Sequence, residues 1–284
     1  MAPAPEATVR HVPSTDGVTL AVHDLGGDGP LVLLCHPTGF LGMTWAPFAA
    51  HLADVAHCVA LDFRGHGDST APASLDLAWS GMCDDVLAVV DHLGGGPLLG
   101  AGHSMGGAAL LMAEQRRPGT FSRLWLYEPI VFPRAEGAPA GPNPLAEGAR
   151  RRRPVFPSRD AAYENFASKP PLDVLDPAAL RAYVDQLLRD EPDGTVRLKC
   201  EPEVEARTFD GGMAHRTFDH LGEVTVEVTV AMSGDGGPPA QVAPLVAEAL
   251  PAGRLERHPG LTHFGPMEDP AATAAAARAA LGLG

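Results

Sequence analysis

Short apolar runs and segments of helical hydrophobic spacing alternate along the first half of the chain. Leu31–Cys35 is a continuous apolar run, which is typical of a strand buried on both faces, and residues 57–62 are predicted to form a second buried strand. Residues 77–92 carry apolar side chains at helical spacing. A hairpin is predicted over 8–12 and 18–24, a short helix over 45–54, further strands over 98–102 and 122–127, and a helix over 104–117. This β-α-β-α order predicts an α/β fold with a mostly parallel central sheet and helices on both faces.

The alternation stops at residue 133 and resumes near residue 220. Proline, glycine and charged residues are abundant between these positions, and the only elements predicted there are helices, over 159–167, 177–189 and 202–209. The later elements are strands over 225–232 and 254–258 and helices over 239–250 and 270–281. We therefore predict a core formed by 1–132 and 220–284, with a helical cap, 133–219, inserted after the sixth core strand.

The net charge of the chain makes some classes of binding partner unfavourable. The formal net charge is -14, which disfavours nucleic acid and anionic membranes. The run of four arginines at 150–153 is interpreted as a solvated helix end, although such a run can bind phosphate. The first residues lack the basic and apolar segments of a signal peptide, and no run approaches the length of a membrane span. We expect a cytoplasmic protein. The preference for Arg over Lys, with abundant Ala, Gly and Pro, is typical of GC-rich bacterial genomes.

A candidate nucleophile lies at the junction between a predicted strand and a predicted helix. Residues 102–106 read Gly-His-Ser-Met-Gly, a G-x-S-x-G motif. Glycines on both sides of Ser104 allow the tight turn that exposes its hydroxyl at the positive end of the following helix. A serine hydroxyl is a weak nucleophile, so a base must take its proton.

The other groups that such a serine needs can also be assigned. His263 is the candidate base, because it lies in a Gly/Pro-rich loop between the last strand and the last helix, whereas His258 lies within a strand-like run. The candidate oxyanion donors are the N–H groups of Met105 and of the loop after Leu31–Cys35. Pro37 has no N–H, so Thr38 is the first choice in that loop, with Gly39 or Phe40 as alternatives.

Four motifs together carry a family resemblance. They are His-Pro-Thr-Gly at 36–39, Asp-Phe-Arg-Gly-His-Gly-Asp-Ser at 62–69, Gly-His-Ser-Met-Gly-Gly at 102–107 and His-Phe-Gly-Pro-Met-Glu-Asp-Pro at 263–270. In identity and order they resemble the α/β-hydrolase superfamily, in its form with a helical cap. The resemblance covers the whole chain except the cap. It implies the fold and serine-based chemistry, and it does not specify the substrate.

A serine hydrolase also needs a carboxylate that orients the base, which completes a catalytic triad. The position of this acid differs here from the common pattern of the family. Many members carry Gly-x-x-Asp after the strand predicted here at 225–232, but the acid position is occupied by Gly237, and Asp235 lies two residues earlier. Other members, including some lactone-opening hydrolases, place the acid after the preceding core strand, where this chain has Glu128. We take Glu128 as the candidate acid and Asp235 as the alternative.

The resulting hypothesis is a cofactor-independent, metal-free serine hydrolase that acts on a carboxylic ester or lactone. Its substrate would be a small hydrophobic molecule, such as a secondary metabolite. Pocket walls are assigned to His36, Phe40, Trp45, Phe132, Phe156, Tyr163 and Phe166. A carbon–carbon bond hydrolase, a non-hydrolytic cyclase or lyase and a non-catalytic ligand-binding homologue remain as alternatives. The sequence leaves open whether the chain is a monomer or a homodimer.

Overall fold

The structure is a computed structural model that describes residues 8–133, 142–212 and 214–284. The N-terminal residues on which the absence of a signal peptide was predicted lie outside these ranges. So does the beginning of the predicted cap, 134–141. The exact limits of the cap therefore stay a prediction.

The centre of the molecule is an eight-stranded sheet. The chain forms strands β1 (Thr8–Pro13), β2 (Thr19–Gly26), β3 (Leu31–Cys35), β4 (His57–Leu61), β5 (Leu98–His103), β6 (Phe121–Tyr127), β7 (Val155–Phe156), β8 (Leu188–Asp190), β9 (Val196–Leu198), β10 (Glu227–Ser233) and β11 (Gly253–His258). The order in the large sheet is β1-β2-β4-β3-β5-β6-β10-β11. β2 is antiparallel to both of its neighbours, and every other neighbouring pair is parallel. The predicted mostly parallel sheet is confirmed.

Helices cover both faces of this sheet, and further helices lie in the segment between β6 and β10. They are α1 (Ala46–Ala50), α2 (Trp79–His92), α3 (Met105–Arg116), α4 (Pro144–Arg150), α5 (Arg159–Ala167), α6 (Pro177–Leu187), α7 (Pro202–Gly211), α8 (Pro238–Ala249), α9 (Gly265–Glu268) and α10 (Pro270–Leu281). Alternate side chains of one strand serve opposite faces. Leu124 and Leu126 of β6 join the core cluster under α2, α3 and α8, whereas Trp125 and Tyr127 join the cluster under α1 and α10.

The segment between β6 and β10 contains α4 to α7, and it also contains strands. β7, β9 and β8 form a small antiparallel sheet, so the prediction of an insertion made only of helices was wrong. Strands of two or three residues are too short to show a period of two in the sequence. β8 also continues directly from the end of α6, where the sequence predicted one longer helix. We call the segment from α4 to α7 the cap.

No helix within the described ranges is both long and apolar enough to cross a bilayer.

Candidate active site

Ser104 lies at the turn between β5 and α3. Its backbone has φ 56° and ψ -116°, a conformation that is costly for a residue with a Cβ. Three backbone hydrogen bonds hold it there. The Ser104 amide donates to the Tyr127 carbonyl at 3.0 Å, and its carbonyl accepts from the amides of Ala108 and Ile130. The serine therefore lies at the N-terminus of α3, where the helix dipole is positive.

The glycines of the motif make this turn possible. A Cβ on Gly106 would lie 2.1 Å from the carbonyl oxygen of Cys35 in β3, and one on Gly102 would lie 2.8 Å from the amide nitrogen of Gly107. Real Cβ atoms do not approach backbone so closely. The two glycines thus let α3 pack directly against the sheet, which brings Ser104 to the carboxyl end of β5.

His263 reaches the same edge of the sheet from the loop between β11 and α9. The loop is fixed by Glu268, whose carboxylate accepts hydrogen bonds from the amide and the hydroxyl of Thr262, each at 2.8 Å. The imidazole Nδ1 of His263 lies 2.6 Å from Oε2 of Glu128. A carboxylate accepts hydrogen bonds, so Nδ1 of the imidazole is the donor in this contact.

Glu128 follows the last residue of β6 and is fully buried. Its backbone, like that of Ser104, is left-handed, with φ 44°. One carboxylate oxygen accepts from the amide of Ser233 at 2.7 Å, and the other contacts His263. A buried carboxylate without partners would be very costly, and here both oxygens are satisfied.

Asp235, the alternative acid, contacts His263 only through the backbone. Its Oδ2 accepts from the His263 amide at 3.0 Å, and its Oδ1 accepts from the Ser233 hydroxyl and the Gly237 amide. Burial alone would raise the pKa of Asp235, but these hydrogen bonds and the neighbouring imidazole hold it below its usual value. Asp235 therefore anchors the loop that carries His263, whereas Glu128 contacts the ring.

His103 lies beside the candidate base, with its ring centroid 4.8 Å from that of His263. Burial, followed by the charge of His263, holds the pKa of His103 well below its usual value. The ring of His103 stays neutral, so it adds no positive charge that would oppose protonation of His263.

The candidate oxyanion donors lie on two elements that meet at Ser104. Met105 is the first residue of α3, so its N–H has no acceptor within the helix. Thr38 lies in the loop after β3, and its hydroxyl donates to the sulfur of Met105 at 3.3 Å. The side-chain contact joins the two segments on which the sequence placed the donors.

Comparison with known proteins identifies the family of the chain. Residues 32–276 match the sequence profile of the alpha/beta hydrolase family. The chain belongs to this family. The match runs from β3 to α10 and thus includes every residue of the candidate site.

Individual relatives match this α/β hydrolase over shorter segments. Protein phosphatase methylesterase 1 of Bos taurus is 41% identical over 95 residues, which cover 32% of this chain and 25% of that protein. Lipase LipV of Mycobacterium tuberculosis is 34% identical over 117 residues, which cover 40% of this chain and 43% of the lipase. The chain therefore aligns with less than half the length of either relative.

Solved structures match the α/β hydrolase over nearly its whole length. An E-2-(acetamidomethylene)succinate hydrolase superposes with a TM-score of 0.81 and 20% identity, covering 98% of this chain and 100% of the other. An enol-lactonase from Burkholderia xenovorans LB400 superposes with a TM-score of 0.72 and 19% identity, covering 96% and 100%. At these identities the likeness shows the fold.

The structure collects most of the predicted pocket aromatics between cap and core. Phe40, Phe156, Tyr163 and Phe166 belong to or pack against one cluster, which also contains Tyr183, Phe264 and Met267. The ring of Phe40 lies 4.7 Å from that of Tyr183 and 5.9 Å from that of Phe264, the residue after the candidate base.

Three other predicted pocket residues lie elsewhere. Trp45 packs on Phe48 in the core under α1 and α10, because the chain turns into α1 immediately after it. His36 is fully buried, where its Nε2 accepts from the Phe63 amide and its Nδ1 donates to the Pro37 carbonyl. Phe132 packs against the core cluster under α2, α3 and α8. The side chains of Trp45 and His36 are thus buried among core residues, and their assignment to the pocket wall stays a prediction.

Sequence reasoning also missed polar cap residues close to the oxyanion loop, which we define as residues 36–40. Arg152 is only one-fifth exposed and contacts Glu205 and Tyr183, so the interpretation of 150–153 as a solvated helix end fails at this position. Arg150 fits it, since it forms exposed ion pairs with Glu203 and Asp210. A run of four arginines in an acidic protein was the available signal, but nothing in the run distinguishes its third member.

Proposed function

We propose that this α/β hydrolase is a serine hydrolase that cleaves a carboxylic ester or lactone through an acyl-enzyme on Ser104. The observation that carries the proposal is the contact between Nδ1 of His263 and the buried carboxylate of Glu128 at the strand end next to Ser104. A serine, an oriented imidazole and a buried carboxylate at one sheet edge are the groups that nucleophilic acyl transfer requires.

Each residue has a definite role in the proposed reaction. Ser104 attacks the carbonyl carbon while Nε2 of His263 takes its proton. Glu128 accepts the Nδ1 proton, keeps the ring in the required tautomer and stabilises the imidazolium that forms. The N–H groups of Met105 and Thr38 donate to the oxyanion. His263 then protonates the leaving alcohol, and water, activated by the same imidazole, releases the acid from Ser104.

The surroundings of the site favour an uncharged, hydrophobic substrate. The hydrophobic cluster between cap and core contains Phe40 and Met267, and Phe166 and Phe264, the residue after His263, pack against it. Arg152, the cation close to the oxyanion loop, already pairs with Glu205. A carboxylate on the substrate would have to compete with that pair, whereas an apolar acyl or alcohol group would add to the aromatic cluster.

Fluorophosphonate labelling tests the proposal most directly. We expect the wild-type chain to be labelled on Ser104 and to hydrolyse aryl esters or lactones, and we expect Ser104→Ala to lose both properties. Ser122→Ala removes a β6 hydroxyl that donates to the Leu98 carbonyl at the opposite end of the strand from Glu128, and it serves as the matched control, which should behave as wild type. An unlabelled wild type, or full turnover by Ser104→Ala, would contradict the proposal. Cleavage of ultraviolet-absorbing ring-fission diketones in place of esters would favour a carbon–carbon bond hydrolase.

A small-molecule substrate, without nucleic acid or membrane partners, is part of the same proposal, as is a cytoplasmic location. The charge of -14 supports the exclusion of polyanionic partners.

A further inference from the structure

A continuous polar chain connects the cap to the oxyanion loop. The guanidinium of Arg152, which follows α4, donates to the carboxylate of Glu205 on α7 and, at 3.1 Å, to the hydroxyl of Tyr183 on α6. That hydroxyl in turn donates to the carbonyl of Gly39 at 3.1 Å. Three cap elements thus converge on one peptide group of the loop.

The loop is shaped to receive this contact. Gly39 has φ +80°, and a Cβ at this position would lie 2.4 Å from Oε1 of Glu205. Phe40 closes a turn by donating its amide to the Pro37 carbonyl at 3.2 Å, and its ring packs on Tyr183. Thr38 lies between these fixed points. The Thr38 N–H shares its peptide group with the Pro37 carbonyl, which accepts from the Phe40 amide and from Nδ1 of His36. The cap acts on this group through Gly39 and Phe40, the residues that close the turn.

The protonation states of Arg152 and Tyr183 suit their buried positions in this polar chain. Tyr183 and Glu205 are almost fully buried. Burial alone would lower the pKa of Arg152, but Tyr183 and Glu205 raise it well above its usual value, so the guanidinium stays charged. Burial raises the pKa of Tyr183, so its hydroxyl keeps the proton that it donates to Gly39.

We propose that Tyr183, Arg152 and Glu205 are positioning residues that hold Thr38 of the oxyanion loop in its working orientation. The cap then contributes to the chemical step as well as to substrate binding. This inference rests on the proposed ester hydrolysis, in which the Thr38 N–H stabilises the oxyanion. It assigns a role to Arg152, the member of the arginine run that is not a surface residue.

Kinetics of three variants test the role in catalysis. Tyr183→Phe, Arg152→Lys and Glu205→Gln should each lower kcat, normalised to fluorophosphonate-titrated sites, about 10- to 100-fold, a little less than removal of an oxyanion donor. KM should stay within about twofold, since the oxyanion forms only in the transition state. Arg150→Lys and Glu203→Gln change exposed ion-pair partners in the same two cap segments and should match wild type.

Hydrogen exchange of the loop amides tests the positioning without reference to activity. In each of the three variants, the Phe40 amide should exchange about tenfold faster than in wild type, while β3 stays protected and the two controls are unchanged. Unchanged exchange at 36–41, unchanged normalised kcat, or equal effects in the controls would overturn the inference. If wild type lacks Ser104-dependent hydrolysis, the proposed function fails, and the exchange data still decide whether the cap holds the loop.

Discussion

At the residue scale, Glu128 shows how one buried side chain contacts both the backbone of the core and the candidate base. Its carboxylate has no contact with solvent, and its two oxygens are divided between the Ser233 amide and the His263 ring. Its left-handed backbone is held by an amide hydrogen bond to the Ala231 carbonyl at 2.8 Å. Backbone contacts on one side and the imidazole on the other thus hold the Glu128 carboxylate at the carboxyl end of β6.

Replacing each carboxylate by an amide tests whether Glu128 or Asp235 is the acid that orients His263. Glu128→Gln should lower kcat/KM about 10³- to 10⁴-fold, because an amide opposite Nδ1 favours the wrong tautomer of His263. Asp235→Asn keeps an oxygen for the His263 amide, and we expect a loss of about tenfold or less. Steady-state kinetics on one activated ester would measure both, and the reverse ranking would assign the acid to Asp235.

The three triad candidates could be predicted from the sequence, because their roles depend on where they stand relative to the predicted strands and helices. Ser104, His263 and Glu128 each follow or precede a regular element at the carboxyl edge of a parallel sheet, so the order of elements sufficed to bring them together. Arg152 was misinterpreted because its surroundings come from distant segments. Arg152 is buried by Glu205 and Tyr183, which lie 53 and 31 residues further along the chain.

At the scale of secondary-structure elements, the predicted and observed limits agree best for helices whose ends carry capping residues. The predicted helix over 270–281 is α10, which begins after an Asp269 side chain that accepts from the Ala272 amide and ends at Gly282 in the left-handed conformation. The predicted helix over 159–167 is α5, capped by Ser158. β8 and β9 lack comparable signals, because their strand pairing depends on contacts within the cap.

Two glycine-to-alanine substitutions test how closely α3 packs. Gly106→Ala would place a methyl group against the Cys35 carbonyl, and we expect it to destabilise the protein by about 1–3 kcal/mol through overpacking. Gly148→Ala in α4 meets no atom within 4 Å, so it should be neutral or stabilising by up to about 1 kcal/mol. Urea unfolding would give both values, and equal effects would show that α3 is not constrained by β3.

At the scale of the whole molecule, buried histidines link stability to pH. Burial, reinforced by the neighbouring His66, lowers the pKa of His36 from 6.5 to about 3. Burial also lowers the pKa of His66 and of His103. Each is neutral in the folded chain, whereas the unfolded chain takes up a proton as the pH falls below about 6.5. The unfolded state then binds more protons, so stability is full above this pH and is lost as the pH falls toward the folded-state pKa.

For His36 alone this loss amounts to about 2 kcal/mol between pH 7.5 and pH 5. His36→Asn keeps one donor and one acceptor, and should reduce the difference in unfolding free energy between these two pH values by a similar amount. Urea titrations of both proteins at each pH measure the change. An unaltered pH dependence would show that His36 does not enter the acid response.

The pairing of His103 with Tyr127 in neighbouring strands makes the spacing of the site independent of the cap. Ser104 and Glu128 directly follow these two partners, so hydrogen bonds in the middle of the sheet set their separation. Central strands are the last part of a fold to open, and peripheral segments open far more often. An open cap would therefore leave the nucleophile and its carboxylate in place, while the oxyanion loop loses its contact with Tyr183. In terms of the proposed reaction, such a molecule would keep its nucleophile and acid in register while the oxyanion donor lost its support.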